Sequence, residues 1–237
     1  NAWACVTGKP VTKGGIAGRT EATGRGVEYA LRAFFNHPDD VKKAGMTPGL
    51  KGKRIIVQGL GNVGYHAALF LSTEDGALIT HVLERDGAVV DESGIDIESL
   101  KAHIVATGSV RGYPGHVDSG MEMLEADADI LIPAAMELVI TEKNAKRIKT
   151  PLIIEAANGP VSAEADTILR ERGTVIIPDL YANAGGVTVS YFEWIKNLSR
   201  IRFGRMQRRA EETRFGALIE GIESLTGKSF PEELARR

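Results

Sequence analysis

A single cysteine, Cys5, is all the thiol chemistry that 237 residues contain, so no disulfide can form within the chain and a reducing compartment is the expectation. The histidines His37, His66, His81, His103 and His116 are scattered without the close spacing of metal ligands, and no metal is expected. No apolar run approaches the roughly 20 residues that cross a bilayer, and the N-terminus has no basic-then-apolar signal pattern. The location expected from these absences is cytoplasmic, or the mitochondrial matrix if the source is eukaryotic, with no membrane partner. Charge of one sign is missing as well. The 29 Lys and Arg against 31 Asp and Glu leave a net charge of -2, which provides no global field to gather nucleic acid. One Arg-rich stretch stands out: Arg200, Arg202, Arg205, Arg208, Arg209 and Arg214. Glu211 and Glu212 interrupt it and only Phe203 and Phe215 could stack, so it reads as a solvated helix face.

What is present is an alternation of short apolar runs and amphipathic stretches. Arg54-Ile55-Ile56-Val57-Gln58 is β-branched and does not alternate with polar residues, as expected of a parallel strand covered on both faces. A helix from Asn62 to Ser72 and a second strand over Leu78 to Leu83 follow, giving strand, helix and strand within about 30 residues, the βαβ unit. Ala88-Val89-Val90 reads as a small hairpin partner. Further strands are expected at Ile130-Leu131-Ile132, Leu152-Ile153-Ile154 and Val175-Ile176-Ile177, with helical pieces at Ile97 to Ala106, Glu142 to Ile148 and Ala163 to Glu171. Ahead of these, Ala22 to Asn36 carries Val27, Ala30, Leu31, Phe34 and Phe35 at helical spacing, and Asp39 to Ala44 reads as a shorter helical piece. From Val187 the chain reads as helical, with Val189, Phe192, Trp194, Ile195 and Leu198 on one apolar face, and Met206 to Leu225 forms another long helix. The order predicts an α/β fold, a doubly wound and mostly parallel sheet with helices on both faces and a helical C-terminal segment. Ligands of such sheets bind beyond the carboxyl ends of the strands.

Between the first strand and its helix lies Gly59-Leu60-Gly61-Asn62-Val63-Gly64, a G-x-G-x-x-G loop. Its glycines serve a tight turn, a close backbone approach to a pyrophosphate and close helix-to-strand packing. The free amides and positive dipole end of the helix would face the phosphates. At the end of the second strand, Glu84 is the candidate acceptor for the adenosine ribose hydroxyls, although a solvated turn is the alternative. Arg85 beside it could pair with a 2′-phosphate, so NAD is preferred while NADP stays open. The loops Pro133-Ala134-Ala135, Glu155 to Pro160 and Pro178 to Gly186 follow later strand ends. Their small residues admit a flat ring, and Asn158 and Asn183 offer both donors and acceptors, unless they serve only as turn and cap residues.

Four motifs in this order, Gly18-Arg19-Thr20-Glu21-Ala22-Thr23-Gly24-Arg25-Gly26, Gln58 to Gly64, Glu155 to Pro160 and Asn183 to Trp194, resemble glutamate dehydrogenases. The resemblance runs from about Gly18 to Trp194. It implies a Rossmann-like domain and reversible oxidative deamination of L-glutamate to 2-oxoglutarate and ammonia, with hydride passed to a nicotinamide. Thr23, Gly59, Gly61, Asn62, Val63, Gly64, Glu84, Ala134, Ala135, Asn158 and Asn183 are then expected near the cofactor, and Arg19, Val187 and Ser190 towards the substrate. A guanidinium at Arg19 suits a carboxylate, and Ser190 could hydrogen-bond it. Family members are usually hexamers, so a homo-oligomer is expected.

No catalytic residue is assigned. Deamination needs a base, typically a lysine with a depressed pKa beside a carboxylate. Lys9 and Lys13 lie in a polar leading segment and do not match the family's lysine motif. The expected organisation is a leading segment over 1–20, a dinucleotide-binding domain over 21–203 and a helical segment over 204–237. The upstream substrate domain would be absent, and cofactor would bind without turnover. A leucine, phenylalanine or valine dehydrogenase of the same superfamily and a non-catalytic dinucleotide-binding module are the competing readings.

Overall fold

Short apolar runs become the central strands of one seven-stranded sheet. The computed structural model describes residues 2–118, 120–199 and 205–227, with side chains described for 4–118, 120–199 and 215–227. In chain order the elements are α1 (Ala22–Phe35), α2 (Pro38–Lys43), β1 (Arg54–Gln58), α3 (Asn62–Thr73), β2 (Leu78–Glu84), β3 (Gly87–Val90), α4 (Ile97–Thr107) and β4 (His116–Val117). There follow β5 (Ile130–Pro133), β6 (Leu152–Ile154), α5 (Ala163–Glu171), β7 (Val175–Ile177), α6 (Asp179–Ala182), α7 (Ala184–Ser199) and α8 (Arg205–Thr226). The chain divides into two compact units, Gly8–Tyr191 on one hand and Asn1–Thr7 with Phe192–Arg237 on the other.

The larger unit holds the sheet, in the order β4-β3-β2-β1-β5-β6-β7. Strand β1 runs parallel to both β2 and β5, β6 and β7 continue the parallel set, and β3 and β4 add an antiparallel edge. The fold is the expected α/β arrangement. Alternate residues of each central strand feed two cores. Ile55, Val57, Ile130, Ile132, Leu152 and Ile154 pack with Leu31, Ala67 and Leu71 on one face. Ile56, Leu131 and Ile153 pack with Leu124, Ala165 and Leu169 on the other. A strand buried on both sides has no polar positions to spare, which is why the runs do not alternate.

Helix α1 crosses α3 closely because Gly24 has no side chain; a Cβ there would stand 2.6 Å from His66 Cβ and 2.7 Å from the Ala67 nitrogen. The crossing is pinned by Glu28, fully buried on α1, which pairs with Arg25 and Arg32. Arg25 in turn reaches Glu74, and Arg32 reaches Asp75, just past the end of α3. Burial pushes the Glu28 carboxyl above its ordinary range while the Arg25 hydrogen bond pulls it back.

One expectation needs correction. Glu142 to Ile148 does not form an α-helix; only a 3-10 turn at Ala145–Arg147 is present. Asn144 explains it, because its side chain accepts from the Thr141 amide and donates to the Val139 carbonyl, competing with helical hydrogen bonds. On α7, Phe192, Trp194 and Leu198 of the apolar face are exposed, whereas Glu193 is buried. Helical period sets which residues share a face without supplying anything to cover it. The helix also begins at Ala184, three residues before Val187. The expected helix near Met206 to Leu225 is α8. Of the Arg-rich stretch, Arg200 and Arg202 lie outside the described residues, as do the side chains of Arg205, Arg208, Arg209 and Arg214. Among the described residues no helix is long and apolar enough to cross a membrane.

Candidate functional site

The chain passes from β1 to β2 on one side of the first strand and later returns to β5 on its other side. The loop leaving β1 therefore opens at the point where strand order reverses, the usual ligand crevice of such sheets. That loop is Gly59 to Gly64, and its three glycines do different work. Gly59 adopts φ +89°, and a Cβ there would lie 2.5 Å from Ala135 Cβ. At Gly64 a Cβ would stand 1.9 Å from the Gly59 carbonyl oxygen, so no side chain fits between strand and helix. Gly61 is the contrast: among the described residues, its chain neighbours aside, nothing lies within 4 Å of the place its Cβ would occupy. Gly61 is also the residue preceding α3, and having no side chain it makes no cap bond to the helix. The first-turn amides of a twelve-residue helix thus meet an open approach, the arrangement that binds phosphate and other anions.

Around the loop, the expected residues assemble from separate strands. Ala134 N donates to the Gln58 carbonyl, and Ala135 is exposed against Gly59. Val63 lies half-buried in the first turn of α3. Asn62 points its amide at the Thr20 carbonyl, 2.6 Å away, tying the helix start to the leading segment. Glu84 ends β2, and its Oε1 accepts from the Leu60 amide at 2.5 Å. Beyond it is a cleft of about 260 Å³ lined by Glu84, Arg85, Asp86, Ile104, Ser109 and Val110. The Ser109 hydroxyl holds the Asp86 carboxyl below the usual carboxylate range.

On the other side of the crevice the loops after β6 and β7 are joined. Asn183 Nδ2 donates to Asn158 Oδ1 at 2.8 Å. Below this pair, buried Glu155 accepts from the Asp179 amide, and Asp179 accepts from the Gly159 amide. Burial, reinforced by the charge of Asp179 and opposed by backbone hydrogen bonds, pushes the Glu155 carboxyl up.

A third group gathers where α1 meets α7. Arg19 Nε donates to Ser190 Oγ at 2.7 Å. Thr23 Oγ1 would lie 2.2 Å from a Cβ on Gly186, and an Arg19 nitrogen 3.7 Å from it, so the missing side chain at Gly186 leaves room for Thr23 beside Arg19. Val187, by contrast, is exposed and joins no described side-chain contact of this group. Sequence reasoning missed Lys101, which donates from α4 to the Leu60 carbonyl at 2.7 Å. It also missed Ser109, whose partner Asp86 stood beside the residue chosen. No motif marks either one; both arrive by tertiary folding. Among the described residues, no group of three or more His, Cys, Asp or Glu is placed to hold a metal ion.

Comparison with known proteins decides the family. Residues 14–216 match the family model described as Glutamate/Leucine/Phenylalanine/Valine dehydrogenase. The chain belongs to this family. It is 51% identical over 239 residues to the "Probable glutamate dehydrogenase" of Sinorhizobium fredii, covering 98% of this chain and 52% of that protein. It is 50% identical over 231 residues to the mitochondrial glutamate dehydrogenase of Dictyostelium discoideum, covering 97% of this chain and 46% of that protein. Among solved structures, the hetero-hexameric glutamate dehydrogenase from Thermus thermophilus in its Leu-bound form superposes with a TM-score of 0.74 at 29% identity, over 94% of this chain and 52% of that one. The glutamate dehydrogenase from Peptoniphilus asaccharolyticus gives a TM-score of 0.66 at 32% identity, over 95% of this chain and 52% of that one. This member of the dehydrogenase family therefore carries its Rossmann-like sheet in a chain spanning about half the length of the relatives it matches.

Proposed function

We propose that this chain is the NAD(P)-binding half of a glutamate dehydrogenase, an oxidoreductase that reversibly deaminates L-glutamate to 2-oxoglutarate and ammonia. The observation carrying this reading is the unfilled space at Gly61, next to an uncapped helix start at the strand-order reversal. A bound nicotinamide supplies the hydride acceptor and donor. The chain's residues bind and orient it. The amides of Asn62, Val63 and Gly64 face the diphosphate, Glu84 takes the adenosine ribose hydroxyls at the cleft, and Ala134 and Ala135 leave room for the cofactor beside Gly59. Thr23, Asn158 and Asn183 lie toward the nicotinamide end, and Arg19 with Ser190 toward a substrate carboxylate. Val187 belongs to the same edge on family grounds alone.

Glu84 and Asp86 put two carboxylates at the cleft against exposed Arg85, which favours the ribose hydroxyls of NAD over the extra phosphate of NADP. Ser190 favours glutamate over an apolar amino acid, since its hydroxyl offers a bond that an apolar side chain leaves unused. The lysine and carboxylate that move protons are assigned to residues outside these 237, so the chain alone binds cofactor without turning over glutamate. The whole enzyme is taken to be a hexamer of the cytoplasm or, in a eukaryote, the mitochondrial matrix. The test is calorimetric titration of the chain with NAD and NADP, alongside Gly61→Val. Binding of NAD by the parent and its loss in the variant is the expected result; equal binding by both would refute the assignment.

A further inference from the structure

Leu60, the middle residue of the glycine turn, has both halves of its backbone held by charged side chains from distant parts of the chain. Its N–H donates to Glu84 at the end of β2, and its C=O accepts from Lys101 on α4. Its own side chain is buried, at 2% exposure, so the backbone of the loop is fixed from three directions. Lys101 is itself positioned: its ammonium lies 5.5 Å from the ring centroid of Tyr65, in the first turns of α3, within the range of a cation–π attraction. Hydrogen bonds with one ionised partner are about twice as strong as neutral ones.

The two charges have opposite consequences for an anion. The Glu84 carboxylate sits against the loop where the α3 amides attract negative charge, and it opposes an approaching diphosphate. The Lys101 ammonium, on the carbonyl side of the same residue, offsets it. A ribose that engages Glu84 from the adjoining cleft also competes with the Leu60 amide for that carboxylate. The loop then keeps its shape through the Lys101 anchor. We propose that Lys101 is a positioning residue for the cofactor, holding the Leu60 carbonyl and compensating the charge of Glu84 at the diphosphate-binding loop. This rests on the dinucleotide reading given above.

The experiment titrates the 237-residue chain with ADP-ribose, which carries the ribose and diphosphate without the nicotinamide, at low and high salt. Lys101→Gln keeps a hydrogen-bond donor and removes the charge; Lys101→Arg keeps the charge. The Gln variant should bind ADP-ribose about tenfold more weakly at low salt and show a flatter salt dependence, while Arg restores both to within about twofold. A thermal melt of each variant identifies any that fail to fold, and for those Lys101→Met combined with Glu84→Gln is compared with Glu84→Gln alone: once the Glu84 charge is gone, loss of the Lys101 charge should weaken binding by less than about tenfold further, and a further loss of about tenfold overturns the compensation. Wild-type affinity in Lys101→Gln overturns the proposal. So does a weakened affinity whose salt dependence matches the parent, since that is the mark of packing alone. If the parent chain fails to bind ADP-ribose, or Gly61→Val binds it as the parent does, the dinucleotide reading fails and this inference falls with it.

Discussion

The glycine loop and the Arg19–Ser190 group are built on opposite principles. Around Gly59 to Gly64 the atoms proposed to bind are backbone amides, and the sequence contributes by leaving side chains out. At Arg19, Thr23 and Ser190 the atoms proposed to bind are side-chain nitrogens and hydroxyls, with Arg19 on Ser190 and Thr23 beside Gly186. A backbone site is damaged by adding atoms and a side-chain site by removing them. Within the loop the same contrast recurs: Gly64 is filled to the limit by the protein itself, whereas Gly61 is left open.

The sharpest test is therefore Gly64→Val. Its Cβ would meet a carbonyl oxygen at 1.9 Å, which backbone cannot avoid cheaply. A cost of about 3 kcal/mol, roughly 6–12 °C in a thermal melt, is expected along with loss of cofactor binding. Gly61→Val should lose binding yet melt like the parent; if both variants melt alike, the division of labour between the glycines is wrong. Next in size is Ser190→Ala, which removes the acceptor of the Arg19 hydrogen bond at a cost of about 1 kcal/mol while ADP-ribose affinity stays unchanged. Weakened ADP-ribose binding in that variant would merge the two regions into one.

The smallest effect concerns Glu155, beneath the Asn158–Asn183 pair. Burial raises its carboxyl in the folded chain, so the folded state holds the proton more tightly than the unfolded state. The stability this gives is complete at acid pH and is lost as pH rises from the ordinary carboxylate range through the raised value. Glu155→Gln lacks that loss. Its melting temperature relative to the parent should climb as pH rises toward neutrality, and a difference that stays flat with pH would count against a buried charge there.

Much of the architecture was legible because burial leaves a one-dimensional trace. Strands β1, β5, β6 and β7 appear as short apolar runs, and the helix spacing of Val27, Leu31 and Phe34 marks α1. The two-residue strand β4 left no such trace, since His116 and Val117 are too few to make a pattern. Nor did the register shift between β1 and β2, where Ile55 pairs with Ile79 and Ile56 with His81, skipping buried Thr80. Periodicity misread Glu142 to Ile148 because one asparagine side chain outcompeted the helix locally. Around the candidate site, the glycine spacing and the place of Glu84 at the end of β2 could be read from sequence. The bonds they make could not.

The sequence by itself determined the sheet type, the strand-to-helix turn without side chains at Gly59 and Gly64, and the family, because apolar runs and missing Cβ atoms are local properties. Tertiary structure alone decided which distant groups meet: Glu84 and Lys101 on the two sides of Leu60, Asn158 on Asn183, and Arg19 on Ser190 across 171 positions of chain. Such contacts are set by how helices pack on both faces of the sheet, and charge or hydroxyl identity carries no record of the partner it will find.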